Sequence, residues 1–325
     1  MVLGGDVGGT KTLLGLFEPS TPRPVPRATR SYETAAFTSF VEILDAFLRD
    51  VNPPVPLRAA ALGVAGPVVH DRAQLTNVDW QISAPDIGAR FEIPDVRLLN
   101  DLEAMARSIE VLGADELLVL QEGEPDPEAS AAVIAAGTGL GQAYLHRRNG
   151  RFVPAASEGG HGDFAARTDR ELELVRMLRE RLGRAEVEQV LSGMGLLNLH
   201  RLTHRGGECG LVPDLSSPDA PAAVSRAGLG GRCQGCAEAL RMFVSAYGAE
   251  AGNLALRGLA LGGVYVGGGI APKILPAIEG GIFMESFLDK QPMTHLLRRV
   301  PVKIILNADA GLLGAAAYAS ELTAS

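Results

Sequence analysis

The chain lacks the features that would tie it to a membrane, an oxidising compartment or a nucleic acid. No apolar run reaches the roughly 20 residues needed to span a bilayer, and no basic stretch leads into an apolar core at the start, so neither a membrane anchor nor a secretory leader is expected. Cysteine is scarce. Three in 325 residues, an odd count, argues against a disulfide framework and for a reducing, cytoplasmic setting. Basic residues do not gather in a run and the net charge is −8, so nucleic acid is not an expected partner. What remains, 46% hydrophobic and 21% charged, is the composition of a soluble globular protein. The length exceeds what one core usually supports, so two domains are expected.

Two familiar phosphate motifs are also missing. There is no G-x-x-x-x-G-K-[ST] loop, and the triple glycine Gly267-Gly268-Gly269 is not G-x-G-x-x-G. In their place stands Gly4 to Phe17, GGDVGGTKTLLGLF, which reads as two strands joined by a glycine turn. Successive exposed amides beside the Thr10 hydroxyl suit phosphate oxygens. Asp6 in the same turn would repel a bare phosphate and makes sense with a divalent cation between them. The competing reading is an ordinary hairpin whose glycines only satisfy turn geometry. Ala131 to Leu145 repeats the pattern around Gly137-Thr138-Gly139-Leu140-Gly141, which points to an internal duplication. Two such hairpins facing each other would hold one nucleotide across a cleft.

Elsewhere strands and helices alternate, giving an α/β class. Apolar spacing predicts helices over 38–50, 102–112, 168–182, 193–204, 233–256 and 309–322, and strands over 57–64, 96–99, 262–270 and 302–306. Asn100 with Glu103 reads as a capping box. Asp101 falls where a strand ends and a helix begins, the place where open α/β sheets bind ligands. There a carboxylate can accept a hydroxyl proton, or merely favour the helix dipole. Asn100 offers a donor and an acceptor for two adjacent sugar hydroxyls. Glu158-Gly159-Gly160-His161 sets a carboxylate and an imidazole around two glycines that let a ligand approach. No second His or Cys sits beside His161 at metal spacing. Gly268-Gly269 after a strand would pass the backbone under an adenine ring. Cys233-Gln234-Gly235-Cys236, with His204 and Cys209 upstream, is irregular for zinc and is read as small helix residues.

In order along the chain these stretches resemble the bacterial glucokinase family of the hexokinase/actin-like ATPase superfamily. Gly5-Asp6-Val7-Gly8-Gly9-Thr10 resembles its first phosphate motif, and Ala65-Gly66-Pro67 with Thr76-Asn77 and Trp80 its sugar region. Asn100-Asp101-Leu102-Glu103-Ala104-Met105-Ala106 resembles its catalytic motif, and 137–141 its second phosphate motif. Glu158-Gly159-Gly160-His161 with Asp163-Phe164-Ala165 resembles its glucose motif, and Glu188 precedes a similar Ser192-Gly193 helix start. Gly262 to Ile270 with Pro272 resembles its adenosine motif.

The resemblance implies two actin-like (ribonuclease-H-like) domains with a cleft between them. The expected small domain is 1–111 completed by 302–325, and the large domain 112–301. It further implies a cytoplasmic homodimer that transfers the γ-phosphoryl group of Mg²⁺-ATP to the 6-hydroxyl of glucose, the entry step of glycolysis. Asp101 would be the base. Gly66, Asn77, Asn100, Glu158, His161 and Glu188 would hold the sugar. Gly5 to Thr10, Gly137, Thr138, Gly139, Gly268 and Gly269 would hold ATP, with Asp6 near Mg²⁺. The C-x-x-C has counterparts in that family with no zinc association. Departures are Lys11 for Asn, Leu102 for Phe and Gly162 for a larger residue, which bear on substrate preference more than on the reaction. The alternatives are a kinase for another hexose or an amino sugar, and a sugar-responsive regulator. The second needs DNA-binding helices for which a hairpin starting at residue 4 leaves no room.

Overall fold

The computed structural model describes residues 1–75, 78–205, 207 and 209–323; Asn77 therefore lies outside the described residues. The chain divides into two compact units. The first comprises Met1–Glu116, Phe152–Ala156 and Asn307–Ser325, the second Leu117–Arg151 and Ser157–Leu306.

The first unit opens with strands β1 (Val2–Val7), β2 (Lys11–Glu18) and β3 (Val25–Glu33), then helix α1 (Phe40–Val51) and β4 (Ala59–Val64). Short strands β5 (Val68–Val69), β6 (Arg72–Gln74) and β7 (Gln81–Ser83) follow, then α2 (Ala84–Phe91), β8 (Asp95–Asn100) and α3 (Asp101–Ser108). Its main sheet runs β3-β2-β1-β4-β8, with β1 antiparallel to β2 and parallel to β4, and β4 parallel to β8. α1 forms where Ser39 caps its start by accepting from Glu42 N–H and where Phe40, Ile43, Leu44 and Phe47 present one buried stripe. α3 is shorter than its apolar spacing predicts and ends at Ser108.

The second unit contains β9 (Leu117–Gln121), β10 (Ala131–Ala136), β11 (Leu140–Arg148), the two end residues of β12 (Arg151–Ser157, whose Phe152–Ala156 belong to the first unit), α4 (Asp169–Leu182), α5 (Gly193–His204), α6 (Ala220–Leu229) and α7 (Gln234–Gly258). It continues with β13 (Gly263–Gly267), α8 (Leu275–Glu279), α9 (Ile282–Leu288), α10 (Thr294–Leu297) and β14 (Val302–Ile305). Its sheet runs β12-β11-β10-β13-β14-β9. Again the first pair is antiparallel (β10, β11) and the next two are parallel (β10 to β13, β13 to β14). The duplication read from the two glycine hairpins is thus present at the level of strand order. One expected bound needs correction: Val302–Ile305 pairs with β13 and β9 in the second sheet, and does not belong with the first domain.

Helix α11 (Ala310–Leu322) returns to the first unit and packs on β1, β4 and α3 through Leu312, Ala315, Ala316 and Ala319. Its small residues set the approach distance. A Cβ on Gly314 would lie 1.8 Å from Ala104 O, so the two helix backbones are in contact there. Gly314→Ala is expected to destabilise the protein by about 1–3 kcal/mol through overpacking. Thermal unfolding would show this as a lower Tm, and an unchanged Tm would mean that the contact yields easily. Among the described residues no helix is long and apolar enough to cross a membrane.

Candidate active site

In the first unit the register brings three motifs to one sheet edge. Val7 of β1 pairs with Val64 of β4, and Val64 pairs with Asn100 of β8. The chain leaves these three parallel strands as the Gly8-Gly9-Thr10 turn, the Ala65-Gly66-Pro67 turn and the Asn100-Asp101 helix start. This is the carboxyl edge at which α/β sheets take ligands. Gly63, paired with Asp6, lies against α3; a Cβ there would meet Ala104 Cβ at 2.7 Å.

Asn100 and Asp101 are both fixed by the start of α3. The Asn100 carboxamide oxygen accepts from Leu102 N–H (2.9 Å), and Asp101 Oδ1 accepts from the same group (2.8 Å). Asn100 Nδ2 donates to Gly66 O (3.3 Å), linking the sugar-region turn to the helix start. Gly66 sits at φ +149°, with Gln74 O 2.8 Å from where a Cβ would stand, so a side chain is excluded there. Burial raises the Glu103 carboxyl, with Arg107 and the Asn100 backbone amide opposing.

Asp6, at the end of β1, is largely buried and its carboxyl is pushed up to about 6. Loss of hydration is the main cause, followed by the charges of Asp101 and Asp309; Lys11 acts in the opposite direction. Three carboxylates therefore share one field. Asp309 was not found from the sequence, yet it stands just before α11 as Asp101 stands at the start of α3. Its one signal was the repeat of Asn-then-Asp after a parallel strand, since Asn307 Oδ1 accepts from Asp309 N–H (2.8 Å). Thr34 was also missed. Its N–H donates to Thr10 O (3.0 Å) and its hydroxyl to Gly8 O (2.8 Å), fixing the hairpin from β3's far end.

In the second unit β10 and β13 end side by side, Ala135 opposite Gly267. Gly268 follows at φ +84°, where a Cβ would lie 2.3 Å from Ala136 O, and Ile270 N–H donates to that same carbonyl (3.1 Å). The fully buried Tyr247 of α7 braces both strand ends. Its hydroxyl accepts from Ala136 N–H (3.1 Å) and lies 3.2 Å from Gly267 O. Sequence patterning gave no sign of this, because a Tyr in an apolar helix stripe looks like packing.

A cavity of about 620 Å³ opens beside these turns, lined by Gly137 and Thr138, Gly193 and Arg201 of α5, the 215–218 segment, Ile270 and Lys273. The start of α5 is pinned to the hairpin, with Gly193 N–H donating to Gly137 O (2.9 Å) and Ser192 capping through Gly195 N–H (3.0 Å). Glu188 lies next to it. Its carboxylate accepts from Leu140 N–H (2.8 Å), and a Cβ on Gly139 would come within 2.6 Å of it. Glu188 N–H donates to Gly160 O (2.9 Å), so Glu188 and the Glu158-to-His161 stretch are one assembly. Gly159 and Gly160 are required by close approach: a Cβ would stand 2.3 Å from Gln142 Oε1 and from Leu140 O respectively.

His161 has a partner that sequence reading missed. Its Nδ1–H donates to Glu186 (3.0 Å), and Nε2 lies 4.0 Å from the exposed Glu158 carboxylate. The Glu186 hydrogen bond is the main reason that the imidazole is held above its ordinary value, with the charges of Glu188 and Glu158 adding to it. Glu186→Gln is expected to lower the His161 pKa, read by NMR titration of the ring protons. An unmoved titration would assign the shift to the other two carboxylates.

A family model described as glucokinase matches residues 3–322. The glucokinase of Synechocystis sp. is 39% identical over 98% of this chain and 98% of its own length. The chain belongs to the glucokinase family. A glucokinase from an Antarctic psychrotroph, 29% identical, superposes with a TM-score of 0.86 over 98% of both chains. A ROK-family glucokinase from Streptomyces griseus, solved with glucose and AMPPNP, is 23% identical and shares the fold. Its TM-score is 0.66 over 98% of this chain and 99% of that one. Both sheets thus carry the actin-like ATPase plan, and the activity is that of a glucokinase, an ATP-dependent hexose kinase.

Within this glucokinase the departures noted in the sequence fall in telling places. Lys11 is exposed at the first position of β2, and its charge reaches Asp6. Gly162 N–H donates to Gly159 O and Gly162 O accepts from Val187 N–H. The smaller residue therefore lies within the loop that joins His161 to Glu188.

Proposed function

We propose that this glucokinase transfers the γ-phosphoryl group of Mg²⁺-ATP to the 6-hydroxyl of glucose, with Asp101 as the general base. The observation that carries the reading is the alignment of Asp6, Gly66 and Asn100-Asp101 at one carboxyl edge in the first unit. The second unit supplies a matched glycine hairpin beside a cavity of nucleotide size. The sugar oxygen forms a bond to the γ-phosphorus, the bond from that phosphorus to the bridging oxygen breaks, and the hydroxyl proton passes to the Asp101 carboxylate. Phosphoryl transfer has a loose transition state, so positioning and charge neutralisation supply most of the acceleration.

Each side chain then has a task. Asn100, Glu158, His161 and Glu188 pair with sugar hydroxyls, and Gly66 allows close approach; Asn77 is assigned to the same group. A site whose polar groups pair with sugar hydroxyls rejects analogues that lack them. Gly5, Val7, Gly8, Gly9, Thr10, Gly137, Thr138 and Gly139 present amides and hydroxyls to the phosphates. Gly268 and Gly269 pass under the adenine. The hard oxygen donors of the Asp6 cluster suit Mg²⁺, which neutralises phosphate charge when bound with ATP. The cation would relieve the mutual repulsion that raises the Asp6 carboxyl. A homodimer, a cytoplasmic setting and a place at the entry of glycolysis accompany this reading.

The test is hexose-dependent ADP release with Mg²⁺-ATP, comparing glucose with mannose, fructose and N-acetylglucosamine. Turnover with glucose well above the others is expected. A clear preference for another sugar would reassign the groups around Glu158, His161 and Glu188.

A further inference from the structure

One cluster of soft donor atoms takes no part in phosphoryl transfer. His200 and His204 lie one turn apart near the end of α5. Cys233 and Cys236 stand at the start of α7, where the Cys233 thiol accepts from Cys236 N–H (3.4 Å). Cys209 comes from the segment between the two helices. One donor atom from each of His200, His204, Cys209 and Cys236 lies within 4.8 Å of the other three. Read in sequence, the spacing of these residues is irregular for zinc; in the fold they converge.

Several independent features set this apart from packing. Cys209 Sγ lies 3.8 Å from Cys236 Sγ and also 3.8 Å from Cys233 Sγ. Zn–S bonds of about 2.3 Å at a tetrahedral angle place two thiolates about 3.8 Å apart. His204 Nδ1 lies 2.9 Å from His200 O. Donation from Nδ1–H to that carbonyl leaves Nε2 unprotonated, and there it accepts from the Cys233 thiol (3.2 Å), the sulfur packed beside the proposed ligands. Metal-bound imidazoles are fixed in this way by their other nitrogen. His200 is buried, stacked on His204 with ring centroids 3.8 Å apart, and neither of its ring nitrogens has a hydrogen-bond partner among the described residues. Leaving a buried polar group unpaired is costly, and a coordinated cation removes that cost at one of the two nitrogens. Gly235 belongs to the same arrangement, because a Cβ there would lie 2.6 Å from His204 Cε1 and 2.8 Å from Nε2.

We propose that His200, His204, Cys209 and Cys236 bind one structural Zn²⁺, with the Cys233 thiol packed beside it. Two thiolates and two imidazoles in a tetrahedral arrangement select zinc over hard cations such as Mg²⁺. Cys209, Cys236 and His200 are buried, so the site is closed and offers no open position for a substrate. Its role is to tie the end of α5 to the start of α7. The segment it anchors continues into 215–218, which lines the 620 Å³ cavity with Arg201 of α5. Zinc removal therefore loosens one wall of that cavity. The consequence for catalysis, a higher KM for ATP with the KM for glucose little changed, rests on the proposed function; the metal site itself does not.

The experiment is metal analysis of the full chain purified without chelators, by inductively coupled plasma mass spectrometry. The expected result is about one zinc per chain. Zinc should be lost in Cys209→Ser and in His200→Phe, and released from the wild type by a mercurial that blocks thiols. Cobalt exchanged into the wild type should give thiolate-to-cobalt charge-transfer bands. Should the variants fail to fold, wild-type stoichiometry and the cobalt spectrum decide the matter. Substoichiometric zinc, absence of the charge-transfer bands, or a disulfide between any two of the three cysteines would overturn the proposal. Because metal content is read without turnover, its failure is distinct from failure of the kinase assignment.

Discussion

Asp101→Ala is expected to lower kcat by roughly 10²- to 10⁴-fold, the range for removing a general base, with ATP binding close to wild type. The reason that the loss reports chemistry and not unfolding is local. Leu102 N–H is shared between Asp101 Oδ1 and Asn100 Oδ1, so removing Asp101 leaves the Asn100 cap in place. Asp101→Asn keeps the shape and removes the basicity, and should be impaired to a similar degree. Steady-state kcat and equilibrium ATP binding, measured on the same preparations, separate the two contributions. A near-normal kcat in both variants would take the base role away from Asp101.

The second large effect has two faces. Asp6→Asn should lower kcat by about two orders of magnitude, since charge neutralisation at transferring phosphates contributes several kcal/mol. The same change should stabilise the ligand-free protein at pH 8. The sign follows from the direction of the shift. The Asp6 carboxyl is raised from 3.8 to about 6 by burial and by Asp101 and Asp309, with Lys11 opposing. The folded state therefore holds the proton more tightly than the unfolded chain, and stability falls as pH rises between those two values. At pH 8 the full penalty is present, about 1–3 kcal/mol, and Asn abolishes it. Thermal unfolding of the two proteins should therefore differ at pH 8 and converge near pH 4. Added Mg²⁺ should raise the Tm of the wild type more than that of the variant. Equal Tm values at pH 8 would show that neither burial nor the neighbouring carboxylates penalise the ionised Asp6 in solution.

These effects show which parts of the site a reader of the sequence can find. Asp6, Gly66, Asn100 and Asp101 sit next to glycines or at a strand-to-helix change, so their setting is visible locally. Glu158, His161 and Glu188 are visible for similar reasons. Glu186, Thr34 and Tyr247 are not, because each acts on a segment far away in the chain and looks ordinary among its own neighbours; Asp309 shows only the Asn-then-Asp repeat. The same holds for strands. β1, β4, β10 and β13 are buried on both faces and read as apolar runs, whereas β3 is largely exposed and carries Arg27, Arg30 and Glu33, so its pairing with β2 left no apolar signal. The zinc cluster is the extreme case. Its ligands come from two helices and the segment joining them, and the intervals between them suggest nothing until α5 and α7 are brought together.

The helix that completes the first core has a consequence for how the protein is made. The ribosome delivers β1, β4 and α3 early, but α11, which covers them, follows only after all of the second unit's main segment. Domains tend to fold as units while synthesis proceeds. Here the order is inverted: the second unit can finish first, while the sheet bearing Asp6 and Asp101 waits with one face uncovered. A released chain truncated after residue 306 should resist protease across the second unit and be cut within the first.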